Sequence, residues 1–224
     1  MAVKQNYDSI NQTIQDVCHN VNRNPDDVRV IAVTKYVSNE RALEAIEAGI
    51  TDLGENRSDG FLEKFNAIGN AANWHFIGTL QSRKVKDVID GVTSIHSLDR
   101  QSLAKEIDKR ANRTITCFVQ VNTSGEASKH GLSPEDVRSF IESLKAYANI
   151  EVAGLMTMAP LVDDEAVIRD SFRQLRLLRD DIQQLNLSHA PCHYLSMGMS
   201  HDYHIAIEEG ATHVRIGSKL VGQD

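Results

Sequence analysis

The chain has 224 residues, 41% hydrophobic and 25% charged, with a formal net charge of −7. That length suits one large domain, and the balance is that of a soluble globular protein rather than a disordered one. Lys and Arg are scattered, so no basic stripe marks a nucleic-acid surface, and the acidity disfavours anionic membranes.

An opening helix is expected over residues 6–21, where Ile10, Ile14, Val17 and Val21 fall at helical spacing. VRVIAVT, residues 28–34, reads as a strand buried on both faces. Ser38 caps the next helix, which carries Leu43 and Ile46 and stops at Gly49. A short strand follows at 51–54. Further strands are expected at 74–77, 93–96, 115–121, 150–155, 193–195 and 213–216. Helices fit between them, as at 99–110, 134–147 and 164–185, and Pro134 suits a first helical turn. The tally of about eight βα units closes a (β/α)8 barrel, so the expected fold is an α/β TIM barrel of one domain, 1–224, with an extra N-terminal helix. A doubly wound sheet is the alternative, but AVTKYVS is not the Gly-rich fingerprint it needs after the first strand.

The start, MAVKQNYDSI, lacks the apolar core of a signal peptide, and no apolar run approaches a membrane span. Cys18, Cys117 and Cys192 form no CxxC pair, which fits buried free thiols in a reducing cytosol. The expected compartment is therefore the cytoplasm.

Barrels place their chemistry at the C-terminal ends of the strands. Lys35 stands there after the first strand, and Glu55, Asn56 and Arg57 after the second. Ser196-Met-Gly-Met-Ser200 follows the seventh strand and Gly217-Ser218 the eighth, where barrels often hold a phosphate. Gly198 and Gly217 let the backbone approach an anion. Ser196, Ser200 and Ser218 offer hydroxyls, and a helix expected to begin near Ser200 adds free N–H groups. A lysine at the rim is either solvated or, once a neighbouring cation such as Arg57 or Arg215 favours loss of its proton, a nucleophile for carbonyls. A nucleophilic amine and a phosphate cup at one barrel mouth suit a phosphorylated aldehyde. Pyridoxal 5′-phosphate is the commonest cofactor of that kind, with Arg215 a candidate partner for its ring nitrogen.

Several stretches together resemble one family: AVTKYVS, DLGENR, WHFIGTLQSRK, HSLDR, QVNTSGEASKHG, GLMTMAP and LSMGMSHDYHIAIEEGATHVRIGS. From about residue 28 to 222 the chain resembles the pyridoxal phosphate homeostasis proteins, also called proline synthetase co-transcribed homologs. These are similar to the barrel domain of alanine racemases, the fold-type III group. The resemblance implies that Lys35 forms an imine with pyridoxal 5′-phosphate and that Asn56 lies near the ring. It implies that Ser196, Ser200, Gly217 and Ser218 hold the phosphate, while Arg215 faces either the ring nitrogen or the phosphate. The chain departs from the family at Arg57, often Tyr, at Arg83 in LQSRK, and at Ser218-Lys219 in the last loop. Arg57 and Lys219 are expected to add positive charge around the mouth.

Glu55 reads either as a general base or as a partner of Arg57 or Lys35. The histidines, His201 and His204 included, show no recognised zinc spacing, so no metal is expected. The expected role is cofactor homeostasis or carriage, with apo-enzymes as recipients, no nucleic acid or membrane partner, a monomeric state and no turnover. The alternative is a small fold-type III amino-acid racemase or another enzyme using the same cofactor. A phosphate-ester barrel enzyme without it is a third reading. Fold-type III racemases carry a second β domain that supplies an acid/base group. This sequence stops about one turn after its last strand motif, and Asn56 and Arg57 are the expected occupants of the face that group would serve.

Overall fold

The computed structural model describes residues 2–126 and 129–222. Ala127 and Ser128 of QVNTSGEASKHG, like residues 1, 223 and 224, lie outside the described residues. A first helix, α1 (Ala2–Asn20), precedes eight parallel strands: β1 (Arg29–Val33), β2 (Asp52–Glu55), β3 (Asn73–Phe76), β4 (Ser94–Leu98), β5 (Ile115–Gln120), β6 (Ile150–Met156), β7 (Tyr194–Ser196) and β8 (His213–Ile216). They pair in chain order and close into a barrel, with Arg29 opposite His213 and Ala32 opposite Ile216. After successive strands come α2 (Asn39–Glu47), α3 (Ser58–Ile68), α4 (Val85–Val88), α5 (Gln101–Arg110), α6 (Pro134–Ser143), α7 (Glu165–Gln184), α8 (Tyr203–Glu208) and α9 (Ser218–Val221). The expected (β/α)8 barrel is the observed fold, and α1 packs on α8 and α9. Among the described residues, no helix is long and apolar enough to cross a membrane.

Local chemistry sets the helix ends. The Ser38 side chain accepts from the Arg41 N–H at the start of α2, and Asp164 accepts from Ala166 and Val167 at the start of α7. Gly49, at φ +99°, stops α2 and donates its N–H to the Ile46 carbonyl. Four boundaries differ from expectation in a way that matters. Glu55, Ser97, Met156 and Ser196 belong to strands rather than to the loops after them. The helix expected near Ser200 begins at Tyr203.

Strand alternation sorts the side chains into two interiors. Outward, Leu53, Trp74, Ile95, Leu155 and Val214 join helix residues such as Ala45, Phe61, Ile107, Phe172 and Ala206 in one continuous apolar annulus. Its area removed from water is the main favourable term of the fold. Cys18, Cys117 and Cys192 are buried free thiols, and burial pushes Cys117 and Cys192 up to about 12. The inside of the barrel is different. Barrel interiors are usually layers of branched apolar residues. Here Asp52, His75, Ser94, His96, Ser196, His213 and Arg215 are all buried with only a few apolar neighbours, among them Ile31 and Phe118. The His96 ring stacks on Phe118 at a centroid distance of 4.2 Å.

That interior sets the acid limit of the fold. Burial, with the charge of Arg215 adding to it, holds His96 well below the usual histidine range. Burial, with the charge of Arg29 adding to it, takes His213 down to about 3. Both rings are neutral in the fold, whereas in the unfolded chain they protonate below about pH 6.5. The unfolded state therefore binds more protons, and stability falls as pH falls. For His213 the loss runs from about 6.5 to about 3. Urea midpoints measured from pH 7.5 to 5 should drop on acidification, each ring adding at most about 1.4 kcal/mol per pH unit. A midpoint independent of pH across that window would contradict the buried neutral rings.

Candidate functional site

A pocket of about 430 Å³ opens at the C-terminal end of the barrel, a size in the range of small-molecule sites. Val33, Val37, Ile77, Met158 and Met199 form its apolar walls. Apart from Gln120 and Arg215, which lie in β5 and β8, its polar lining comes from the segments after the strands. Lys35 and Tyr36 follow β1, Asn56 follows β2, Thr79 follows β3, Ser200 and His201 follow β7, and Ser218 follows β8.

Two glycines let these loops come together. A Cβ at Gly78 would overlap the Asn56 backbone, so the loop after β3 presses directly on the loop after β2. Gly198 has φ +93°, and a Cβ there would lie 2.6 Å from the Ala206 Cβ and 3.0 Å from the Tyr203 Cα. The loop after β7 can therefore lie flat on α8 only with glycine at this position. The Asp202 carboxylate accepts from the Met199 N–H at 2.6 Å and fixes the turn that carries Ser200.

Arg215 is the floor. Its side chain is 4% exposed. Nη1 donates to Ser196 Oγ at 2.7 Å and Nη2 to the Thr157 carbonyl at 2.9 Å. Its backbone N–H donates to the Gly198 carbonyl at 2.9 Å. Burial pulls the guanidinium down to about 10, against the opposing charge of Asp202, so it remains a cation at neutral pH. Lys35 is the opposite case, an exposed side chain whose Nζ sits 4.7 Å from the centre of the Tyr36 ring.

Of the expected site residues, Lys35, Asn56, Ser200, Arg215, Gly217 and Ser218 line this one pocket. Ser196 and Gly198 do not. Ser196 Oγ is fully buried between Arg215 and His96 Nδ1, the latter at 2.8 Å. Because β7 includes Ser196, that side chain points into the barrel beneath the pocket and holds Arg215. Gly198 shapes the loop.

The rim residues are arranged differently from expectation. Arg57 makes two hydrogen bonds to Asp59, at 3.1 and 2.9 Å, and lines a neighbouring cleft instead. Lys219 Nζ lies over the Tyr203 ring at 5.0 Å. Glu55 is neither a base at the mouth nor a partner of Arg57 or Lys35. As the last residue of β2 it turns outward, accepts from Thr34 Oγ1 at 2.6 Å and meets Lys64 Nζ at 3.4 Å. Burial raises its carboxyl, and the Thr34 hydroxyl and Lys64 charge oppose that rise. Among the described residues, no three His, Cys, Asp or Glu side chains are grouped to hold a metal. Tyr36 and Gln120 are lining residues that residue-type reasoning passed over, although each stands at or just beyond a strand's C-terminal end; Thr79 and His201, which also line the pocket, were not assigned to a cofactor site.

Residues 5–224 match the family model of the alanine racemase N-terminal domain. The pyridoxal phosphate homeostasis protein of Aquifex aeolicus is 41% identical over 216 residues, covering 95% of this chain and 94% of that protein. The structure of PipY from Synechococcus elongatus with pyridoxal phosphate bound superposes with a TM-score of 0.82 at 31% identity, covering 94% of this chain and 100% of that one. An alanine racemase from Corynebacterium glutamicum shares the fold, with a TM-score of 0.75 at 13% identity over 98% of this chain and 60% of that one.

The Glu55–Lys64 pair anchors the strand end from which Asn56 projects. Lys64→Met should leave a buried carboxylate unpaired and cost about 3–5 kcal/mol in urea unfolding. Adding Glu55→Gln to that variant should recover most of the loss. A single-variant loss below about 1 kcal/mol, the range of surface pairs, would show that Lys64 is not the partner that matters.

Proposed function

The chain belongs to the pyridoxal phosphate homeostasis family, within the alanine racemase N-terminal-domain group, and on that footing we propose that it binds pyridoxal 5′-phosphate on Lys35 and holds it for delivery to apo-enzymes. The observation that carries this reading is the pocket's donor set: one buried cation, one free amine, and a wall of glycine and hydroxyls, all on a cavity of about 430 Å³. Such a set fits a flat heteroaromatic aldehyde that carries a phosphate.

Lys35 is the residue for the aldehyde. Its amine is exposed and has no acidic partner among the described residues, so it would hold the aldehyde carbon as an imine, with water as the leaving group. Ser200 and Ser218 supply hydroxyl donors to the phosphate, and Gly217 lets the backbone approach it. Arg215 precedes Gly217 by two residues on β8, roughly 6–7 Å deeper along the strand. Its anchoring to Ser196 and Thr157 keeps it on the floor, where it suits the ring nitrogen better than the phosphate. Asn56, which also lines the pocket, would lie beside the ring. When bound, the cofactor supplies a ring that stabilises negative charge at an attached carbon.

Racemisation would require a proton removed on one face of Cα and returned on the other. Lys35 can serve one face. Besides Lys35 and Arg215, the ionisable side chains at the mouth are Tyr36 and His201. Tyr36 is 69% exposed and His201 is also exposed. Neither side chain has a hydrogen-bond partner among the described residues. An acid or base held so loosely contributes little of the 10²–10⁴-fold, in rough terms, that a positioned one supplies. Tyr36 and His201 are nevertheless the groups that a small racemase, the second reading, would use.

The two readings separate in heavy water with L-alanine and the cofactor-loaded protein, following deuterium at Cα and chirality together. Slow deuterium uptake with chirality retained is the expected result, because Lys35 returns the deuteron to the face it came from. Multiple turnovers to D-alanine per site each second would overturn the carrier role.

A further inference from the structure

The barrel interior holds an unbroken run of polar contacts from the pocket floor to the opposite end. Arg215 Nη1 meets Ser196 Oγ at 2.7 Å, and Ser196 Oγ meets His96 Nδ1 at 2.8 Å. His96 Nε2 lies 2.9 Å from Ser94 Oγ and 3.0 Å from His75 Nδ1. Ser94 Oγ lies 2.7 Å from His75 Nδ1, and His75 Nε2 lies 2.8 Å from Asp52 Oδ1.

The hydrogen positions follow from what each group can do. An ionised Asp52 only accepts, so His75 carries its proton on Nε2, and for a neutral ring Nδ1 is then an acceptor. His75 Nδ1, His96 Nε2 and Ser94 Oγ all lie within 3.0 Å of one another. If His96 Nε2 were also bare, two lone pairs would face each other and one Ser94 hydrogen could satisfy only one of them. His96 therefore carries its proton on Nε2 and accepts on Nδ1. Ser196 donates to that Nδ1 and accepts from Arg215, which cannot accept. Every donor points the same way, from the guanidinium to the carboxylate.

We infer that Asp52 is the counter-ion of Arg215 through this one-way chain, and is thereby a positioning residue for the guanidinium at the pocket floor. Among the described residues no carboxylate makes an ion pair with Arg215. Asp202 is the nearest acidic influence, but its Oδ1 is taken by the Met199 N–H. At the far end, the other positive group near Asp52 is Arg29, at 3.5 Å with a side chain 54% exposed, so solvent screens it. Thr51 and Asn73 complete the carboxylate's hydrogen bonds. Hydrogen bonds in a buried interior polarise one another, so the chain transmits charge better than its separate bonds suggest. Burial alone would raise the Asp52 carboxyl. Hydrogen bonds from His75 and Thr51 outweigh it, with Arg29 adding to them, and hold it at about 2.

The consequence for the cofactor rests on the pocket reading above, whereas the chain itself does not. Two measurements keep them apart. In cofactor-free wild-type protein, nitrogen-15 NMR of the histidine side chains should place the proton on Nε2 in both His75 and His96. A proton on Nδ1 of His96 would overturn the chain without any variant being made. In the loaded protein, Asp52→Asn removes the far negative charge and leaves Arg215 uncompensated. The pH midpoint of the bound cofactor's visible band should then move down by roughly half a unit, a threefold change in proton affinity. Ser94→Ala keeps the direct His96–His75 contact and should leave the midpoint in place. A folded Asp52→Asn protein with the wild-type midpoint would reduce Asp52 to a packing role and overturn the positioning claim. Absence of any visible band in the loaded wild type would instead fail the cofactor reading, with the NMR result still deciding the chain.

Discussion

A guanidinium that is 4% exposed cannot be left to itself. Burying a charge without hydrogen-bond partners costs several kcal/mol, so the structure around Arg215 has to supply them. It does so from two directions and holds the backbone from a third. Ser196 comes from β7, the Thr157 carbonyl from just beyond β6, and the Gly198 carbonyl fixes the backbone from the loop after β7. Closure of the barrel brings these elements to one place, because β6, β7 and β8 are neighbours in the sheet. The polar interior and the shape of the pocket floor both follow from satisfying this one side chain.

The closed sheet also separates what holds the protein together from what equips it. Outward-facing residues pack with the helices in an apolar annulus that includes no member of the interior chain. Inward-facing residues can therefore be polar without weakening that annulus, provided each finds a partner. The Glu55–Lys64 pair is a small exception, a charge pair set into the annulus at the end of β2. On the pocket side the division continues. Strands carry Arg215 and Gln120, while Lys35 and Ser200 stand on loops beyond them and Ser218 opens α9. A fixed floor beneath a more open rim is suited to holding a ligand that must also leave.

Much of this was legible in the residues. The barrel was readable because short apolar strands alternate with amphipathic helices, and β8 has the expected limits, His213–Ile216. The site was readable because barrel chemistry gathers at strand ends. What escaped was decided by single-residue boundaries. A strand has a side-chain period of two, so one added residue reverses which layer a side chain enters. Ser196 became an inward residue beneath the pocket, and Glu55 turned away from it into the helical layer. Arg57 was misplaced for another reason: its fork fits the Asp59 carboxylate two residues away, a local match that position in the barrel does not reveal. The helix start near Ser200 moved because Asp202 closes the preceding turn from its own side chain. The interior histidines, read singly, showed only that they lack zinc spacing, and their linkage needed three strands to be brought together.

The exposed amine of Lys35 is the proposed attachment point of the pyridoxal phosphate in this pocket. The most direct measurement is borohydride reduction of the cofactor-loaded protein followed by peptide mass mapping. The account predicts the reduced cofactor mass on the peptide that contains Lys35, with none after Lys35→Ala. Incorporation on Lys84 or Lys129, or on no lysine at all, would contradict it.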